Sequence, residues 1–213
     1  RFTRAYVTNA LCAPSRASLL TGLYSHSTGV PENKPGMKIH AEIPIISDYL
    51  REAGYEVAFC GKSHMANALR ERKWDYYFGF KDQGNYLKPV VAEGVDGKDE
   101  LREGWMDDVV TDKAVEWIRK KREKPFCLFL FFKAPHRSWS RAPRHADLYK
   151  DITIPKPALW DDPGEGKPRA FLDADNKIGS AKDVPTLDKM VKDYYATLVG
   201  VDRSSELFGT HRE

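Results

Sequence analysis

The feature that most constrains this chain is a cysteine that precedes a short helical pattern near the amino end. The run Cys-Ala-Pro-Ser-Arg occupies residues 12–16, and Ala-Ser-Leu-Leu-Thr follows it up to Gly22. Pro14 suits a first helical turn because it has a fixed φ and no donor to lose, and Gly22 can end the helix. The pattern therefore predicts a helix with residue 12 at its N-terminus.

A cysteine in this position has chemical consequences. The unpaired backbone donors and the positive dipole end of a helix N-terminus favour an anion, such as a thiolate, an oxyanion or a bound sulfate. Arg16, one turn further on, adds a permanent cation whose planar fork of donors suits an oxyanion. We therefore expect an exposed Cys12 to be reactive.

Three other interpretations of Cys12 compete with a catalytic one. A structural cysteine near a loop is common, but it does not require the full spacing to Arg16. A cysteine phosphatase would need its arginine further from the nucleophile than four positions. A zinc site would need paired ligands, and neither Cys60 nor Cys127 lies in a paired-ligand motif.

A second chemical segment follows a predicted strand. Residues 55–60, after a helix that stops at Gly54, have the pattern of a buried strand, and Gly-Lys-Ser-His follows at 61–64. Lys62 and His64 would then lie at the carboxyl end of that strand, where α/β enzymes gather their catalytic groups.

A third segment ends the most hydrophobic run of the chain. Residues 126–132 predict a strand, and Lys-Ala-Pro-His follows at 133–136. A loop that begins with a proline after this strand would put His136 at the edge of the sheet, facing the same cleft as the second segment.

In this order, the three segments resemble the motifs of the sulfatase family, the formylglycine-dependent type I sulfatases of the alkaline-phosphatase-like superfamily. Among these, the bacterial glycan sulfatases are the most similar. The family has Trp where this chain has Ser63, which is a supporting position. The resemblance implies an α/β fold, a layered sheet with helices on both faces. We expect residues 1–213 to be part of a single catalytic domain, without its N-terminal metal-binding strand and C-terminal portion.

The resemblance also implies a role for each site residue. Cys12 would be oxidised to formylglycine, whose hydrated aldehyde attacks the sulfur of a sulfate ester, and Arg16 would favour ionisation of that diol. Lys62 and His136 would bind the substrate: Lys62 neutralises charge on the sulfuryl oxygens, and His136 protonates the departing alkoxide. His64 would then take a proton from the second hydroxyl of the intermediate, so that sulfate leaves and the aldehyde re-forms.

The same resemblance implies a hard divalent cation, Ca²⁺ or alternatively Mg²⁺, with the formylglycine at Cys12 as one of its oxygen ligands. The family's other ligands are paired Asp residues before the nucleophile and a later Asp-Asn pair, and a further Lys contacts the sulfate. No segment here is a convincing substitute for them. We therefore expect those ligands to lie outside this chain, and the chain alone to be inactive.

The implied substrate is a sulfated sugar, N-acetylglucosamine-6-sulfate or a similar glycan, with aryl sulfates as a weaker alternative. The implied maturation partner is a formylglycine-generating enzyme. Export to the periplasm, to the medium or, in an animal, to the lysosome is expected. Two other functions stay open: a phosphonate or phosphate monoester hydrolase of the same superfamily, and a non-catalytic glycan-binding remnant.

A basic segment lies next to the third motif. It runs from Arg137 to Arg144 and contains Trp139 and Arg141, with His145 directly after it. Such a segment can form a wall of a cleft for a sulfated glycan, or it can be a solvated loop.

The amino-acid composition excludes few classes of protein. The 213 residues are 41% hydrophobic, which allows one sizeable core. A net charge of +3, from 34 basic and 31 acidic residues, argues against a nucleic-acid binder that works through a large basic field. No apolar run has the length of a membrane helix.

Hydrophobic periodicity predicts alternating helices and strands, as in a layered α/β sheet. Residues 151–185 are rich in Pro, Gly and Asp and predict a long surface excursion. The predicted helices are 44–53, 107–122 and 186–208, and the predicted strands are 55–60 and 126–132.

Overall fold

The computed structural model describes residues 3–65, 68–173 and 184–209. These residues fall into two compact units. The first comprises Arg1–Lys133 with Val201–Glu213, and the second comprises Ala134–Gly200.

The first unit is built on a five-stranded mixed sheet with the strand order β4-β3-β2-β1-β5. The central strand β1 pairs in parallel with β2 on one side and with β5 on the other, whereas β3 and β4 are antiparallel additions at one edge. The carboxyl ends of β2, β1 and β5 therefore lie along one edge of the sheet. The strands are β1 Glu56–Lys62, β2 Tyr76–Phe80, β3 Val90–Glu93, β4 Asp99–Leu101 and β5 Phe126–Phe131.

Strand β1 is buried on both faces, which explains its continuous apolar sequence. Successive side chains of a strand point to opposite faces, so Phe59 and Cys60 belong to different cores. Phe59 packs in a cluster with Leu20 and Ile45, and Cys60 packs in a second cluster with Met106. Helices thus cover both faces of the sheet, as the fold class predicted from the sequence requires.

Three helices of the first unit, α1, α3 and α4, lie where the sequence predicted them, with ends shifted by a few residues; the short helix α2 was not predicted. The predicted strands are confirmed as β1 and β5. The short strands β2, β3 and β4 were not predicted. No helix among the described residues has both the length and the apolar character that a bilayer crossing needs. The helices are α1 Cys12–Thr21, α2 Ser25–Thr28, α3 Ile46–Glu52 and α4 Met106–Ile118.

The second unit is mostly irregular. It contains a 3-10 turn at Pro143–His145, a short helix α5 at Arg169–Leu172 and the first part of α6, which spans Val184–Gly209. The predicted helix at 186–208 is therefore confirmed. The predicted excursion at 151–185 is irregular apart from α5 and the start of α6, and its residues 174–183 lie outside the described residues.

The basic segment of the second unit has a structural role that neither interpretation of its sequence anticipated. Arg141 donates to Asp193 Oδ1 at 2.6 Å, and Asp193 is only 6% exposed. The same guanidinium also donates to the carbonyl oxygens of His145, Ala146 and Leu148. Through these contacts of its Nε and Nη1, Arg141 ties the segment to α6.

Candidate active site

Helix α1 places residue 12 as the sequence predicted. The helix begins at Cys12, and Gly22 ends it with φ 72°, donating its N–H to the carbonyl oxygen of Ser18 at 2.9 Å. Ala17 and Leu20 anchor the helix in the core beneath the sheet. The first turn is thus held rigidly, with Cys12 half-buried at its N-terminus.

Two side chains from distant parts of the first unit contact the sulfur of Cys12. His64 Nδ1 lies 2.9 Å from Sγ, and Asn33 Nδ2 lies 3.1 Å from it. Asn33 Oδ1 also accepts the N–H of Ala13 at 3.1 Å. Since Leu11 at the N-cap has no polar side chain, Asn33 caps the helix and contacts the Cys12 sulfur at the same time. Sequence reasoning missed Asn33.

Polar side chains converge at the carboxyl ends of the three parallel strands. Lys62 ends β1, Gln83 follows β2, and Lys133 follows β5. Lys62 Nζ donates to Gln83 Oε1 at 2.5 Å, and Lys133 Nζ donates to the backbone oxygen of Gln83 at 2.8 Å. Gln83 therefore lies between two lysines at the sheet edge, and sequence reasoning missed it.

Arg16 reaches the same edge from α1. Its Nη1 donates to the carbonyl oxygen of Lys62 at 2.9 Å, its Nη2 to that of Phe132 at 3.4 Å, and its guanidinium lies 4.9 Å from the ring centre of Phe131. Its buried Nε has no hydrogen-bond partner among the described residues. Arg16 thus joins the ends of β1 and β5 and keeps one donor unused in the interior.

The electrostatics of this edge are dominated by buried cations. Lys62 is only 1% exposed, and burial lowers its pKa to about 8; Cys12 partly offsets this, while Arg16 and Lys133 lower the pKa of Lys62 further. Burial also lowers the pKa of Lys133 and of Arg16. Such an arrangement favours an anionic ligand, whose negative charge would relieve the mutual repulsion of the cations.

One carboxylate balances part of this positive charge. Asp107, in the first turn of α4, is fully buried and accepts the backbone N–H of Lys133 at 2.7 Å. Burial lowers the pKa of Arg16, Lys62 and Lys133, and the negative charge of Asp107 partly offsets this by raising the pKa of each. Sequence reasoning placed residue 107 only at a helix start and missed this role.

Replacing Asp107 by asparagine is expected to lower the free energy of unfolding by about 2 kcal/mol. Asparagine keeps an acceptor for the Lys133 N–H, so the loss is smaller than the roughly 3–5 kcal/mol of a buried ion left without any partner. Urea unfolding of the two proteins measures the difference. Asp108→Asn, at the half-buried next residue of α4, is the matched control and should cost well under half as much. Equal losses would contradict the charge-balancing role of Asp107.

His64 has an unusual backbone. Its φ is 54°, a left-handed conformation that non-glycine residues rarely adopt and that is found disproportionately at functional sites. The ring lies between Cys12 Sγ and the side-chain nitrogen of Gln83, which is 3.0 Å from Nε2. The structure thus brings together four of the predicted site residues: Cys12, Arg16, Lys62 and His64.

The fifth predicted residue, His136, belongs to the second unit. There its Nδ1 lies within hydrogen-bonding distance of the carbonyl oxygen of Arg137. Its place beside the other four residues stays a prediction. Among the described residues, no group of three or more His, Cys, Asp or Glu side chains could hold a metal ion.

Comparison with known proteins agrees with this geometry. The family described as Sulfatase matches residues 1–206. The chain belongs to the sulfatase family. Among its curated relatives, an N-acetylglucosamine-6-O-sulfatase of Bacteroides thetaiotaomicron is 36% identical over 180 residues, which are 84% of this chain and 32% of that protein. A putative extracellular sulfatase, a Sulf-1 homologue of Caenorhabditis elegans, is 28% identical over 228 residues and covers the whole chain.

Solved sulfatase structures share the fold. One, determined in complex with its substrate D-glucosamine-2-N,6-O-disulfate, matches with a TM-score of 0.70 and 35% identity over 81% of this chain and 35% of that chain. A putative sulfatase of Bacteroides fragilis matches with a TM-score of 0.70 at 22% identity, over 97% of this chain and 49% of that chain. This sulfatase chain therefore has the fold of part of an alkaline-phosphatase-like α/β domain. The chain spans about a third of the length of the curated relatives that it matches.

Proposed function

We propose that the full-length parent of this chain hydrolyses sulfate esters of sugars with a formylglycine derived from Cys12. By full-length parent we mean a protein that carries this chain within a complete sulfatase domain. The observation that carries this proposal is the position of Cys12. It begins α1, His64 contacts its sulfur, and the buried Lys62 and the half-buried Arg16 lie at the adjacent sheet edge. A nucleophile with anion-stabilising groups around it is what transfer of a sulfuryl group needs.

The residues of this chain can each take a part in that chemistry. The sulfur of Cys12 stands where the diol oxygens of a hydrated formylglycine would lie, within reach of His64 and Asn33. The helix N-terminus and the buried ammonium of Lys62 would bind and orient the sulfate group. Arg16 would hold the ends of β1 and β5 in place and add positive charge behind the nucleophile. His136 is proposed as the acid that protonates the leaving sugar oxygen.

Sulfatases of this family use a divalent metal, and Ca²⁺ is the ion we propose. It would polarise the sulfate oxygens when bound. We propose residue 12, as formylglycine, as the ligand that this chain supplies; its described residues contain no group of three or more His, Cys, Asp or Glu side chains that could hold the ion. A calcium ion takes six to eight oxygen ligands, so the remaining ligands would come from elsewhere in the parent.

The proposed substrate is a sulfated amino sugar such as N-acetylglucosamine-6-sulfate. Two relatives support it: one is an N-acetylglucosamine-6-O-sulfatase, and one solved structure was determined in complex with D-glucosamine-2-N,6-O-disulfate. Export is proposed because a relative is named an extracellular sulfatase. A formylglycine-generating enzyme is the proposed maturation partner. Since the family match runs through both compact units, we also propose that residues 1–213 belong to one catalytic domain.

A substrate panel tests this function. The full-length parent, expressed with a maturation enzyme, is assayed with N-acetylglucosamine-6-sulfate, the matching 6-phosphate and an aryl sulfate. We expect sulfate release from the sugar with a kcat/KM well above that for the phosphate. Faster phosphate release would instead identify a phosphate monoester hydrolase, and binding of the sulfated sugar without turnover would identify a glycan-binding protein.

His136→Ala is expected to reduce turnover of sugar sulfates by about 100-fold or more, but turnover of an activated aryl sulfate by less than about 10-fold. A sugar alkoxide is a poor leaving group and needs a proton, whereas a nitrophenolate leaves without one. The measurement is kcat on both substrates in wild type and variant. Equal losses on the two substrates would contradict a role as general acid.

A further inference from the structure

Gln83 is held firmly by the turn that follows β2. Asp82 and Gly84 on either side of it both have positive φ, 50° and 59°. A Cβ at Gly84 would lie 2.7 Å from the ring of Phe80 and 2.8 Å from Met106 Cε, so close packing requires glycine there. The backbone oxygen of Gln83 also accepts Lys133 Nζ at 2.8 Å. The side chain of Gln83 therefore starts from a fixed point at the site.

The chemistry of Lys62 decides which way the amide of Gln83 faces. Below its lowered pKa of about 8, Lys62 is an ammonium, which can only donate hydrogen bonds. The amide group 2.5 Å from Lys62 Nζ must therefore be the oxygen, Oε1. The NH₂ group of Gln83 is then the one that faces His64 Nε2, at 3.0 Å.

The amide of Gln83 in turn decides the tautomer of His64. Because the amide nitrogen only donates, Nε2 of His64 must accept, and an accepting ring nitrogen carries no proton. A neutral imidazole has a single N–H, which must then be on Nδ1. Nδ1 is the atom 2.9 Å from Cys12 Sγ. The chain of contacts therefore directs a donor at residue 12.

We propose that Gln83 is a positioning residue that holds His64 in the Nδ1–H tautomer, so that His64 donates a hydrogen bond to the nucleophile at residue 12. This proposal rests on the proposed sulfatase function. It differs from the role that the family resemblance implies for His64, because a protonated Nδ1 cannot accept a proton from residue 12. His64 instead stabilises negative charge on the nucleophile oxygen, as the donors of an oxyanion hole do.

The first experiment measures the tautomer directly. The full-length parent is labelled with ¹⁵N-histidine, the His64 signal is assigned by loss in His64→Gln, and its two ring nitrogens are read by NMR at a pH where the imidazole is neutral. We expect a protonated Nδ1 and an unprotonated Nε2 in the wild type. An unprotonated Nδ1 in the wild type would overturn the proposal without any need for a variant at Gln83.

The second experiment changes the contact. Gln83→Glu has the same shape, but it presents a carboxylate oxygen to His64 Nε2, so the proton should move to Nε2 and kcat should fall about 100-fold with KM changed less than about threefold. The unfolding temperature should stay close to that of the wild type. A Gln83→Glu variant with wild-type kcat and an unchanged tautomer would overturn the proposal.

Asn33→Asp is the matched control. It alters the other amide that contacts Cys12 Sγ. Within the described residues, the hydrogen bonds of the Asn33 side chain join it to Cys12 and Ala13 and not to the imidazole, so the His64 tautomer should not change. Because the NMR measurement needs no turnover, it tests the role of Gln83 separately from the proposed sulfatase function. A parent without sulfatase activity but with the expected tautomer would overturn the proposed function alone, and an active parent with the other tautomer would overturn the role of Gln83 alone.

Discussion

Replacing Cys12 by alanine in a full-length parent is expected to abolish turnover of sulfate esters while leaving the fold intact. Loss of the nucleophile should lower kcat by about 10⁶-fold, to the detection limit of most assays. The fold should tolerate the change because the capping contact of α1 does not involve the sulfur: Asn33 Oδ1 still accepts the N–H of Ala13. We therefore expect a stability loss below about 1 kcal/mol.

The measurement combines kcat on a sulfated sugar with thermal unfolding, and with peptide mass spectrometry across residue 12 in the wild type. Conversion of the thiol to an aldehyde should lower the mass of that peptide. Cys127→Ala is the matched control, since that cysteine is also half-buried but lies in β5. The Cys127→Ala protein should have the same kcat as the wild type. Turnover that survives Cys12→Ala would contradict the assignment of the nucleophile, even if the peptide were modified.

Local pattern was sufficient to predict the elements that carry the motifs. Helix α1 has a proline in its first turn and a glycine at its end, and β1 and β5 are continuous apolar runs, so each is specified by residues adjacent in sequence. Strands β3 and β4 are different. They are three or four residues long and partly exposed, and they pair in antiparallel order with the strand that precedes each of them in the chain. Segments this short contain too few residues to show a clear alternating or continuous apolar pattern, so their sequence does not predict a strand.

The presence or absence of a local sequence pattern also explains which residues of the candidate site could be predicted. Cys12, Lys62 and His64 were predicted because each belongs to a motif with its own chemistry. Gln83 and Asn33 lie in turns without such a motif, and their importance comes only from the atoms that the fold places beside them. A glutamine followed by a glycine after an aromatic strand was the available signal for Gln83, and by itself it does not point to a function.

Gly61→Ala is expected to lower the free energy of unfolding by about 4 kcal/mol or more, because a backbone clash cannot be relieved by moving a side chain. Gly61 lies in β1, directly before Lys62, and pairs with Phe131 of β5. A Cβ at this position would lie 1.9 Å from the carbonyl oxygen of Phe131 and 2.8 Å from its carbonyl carbon. The two central strands would have to separate, which would also move the Lys62 carbonyl that Arg16 holds.

Backbone strain at a positive φ cannot by itself account for a loss of this size. Gly54→Ala is the matched control, because it has the strain without the clash. Gly61 has φ 115°, and Gly54, after α3, has φ 88°, so both substitutions force alanine into a region that L residues avoid at about 1–2 kcal/mol. A Cβ at Gly54, however, would have nothing within 4 Å. Urea unfolding should therefore show a loss in Gly61→Ala at least twice that in Gly54→Ala. If the two losses were equal, the close approach of β1 and β5 would not be what requires glycine directly before Lys62.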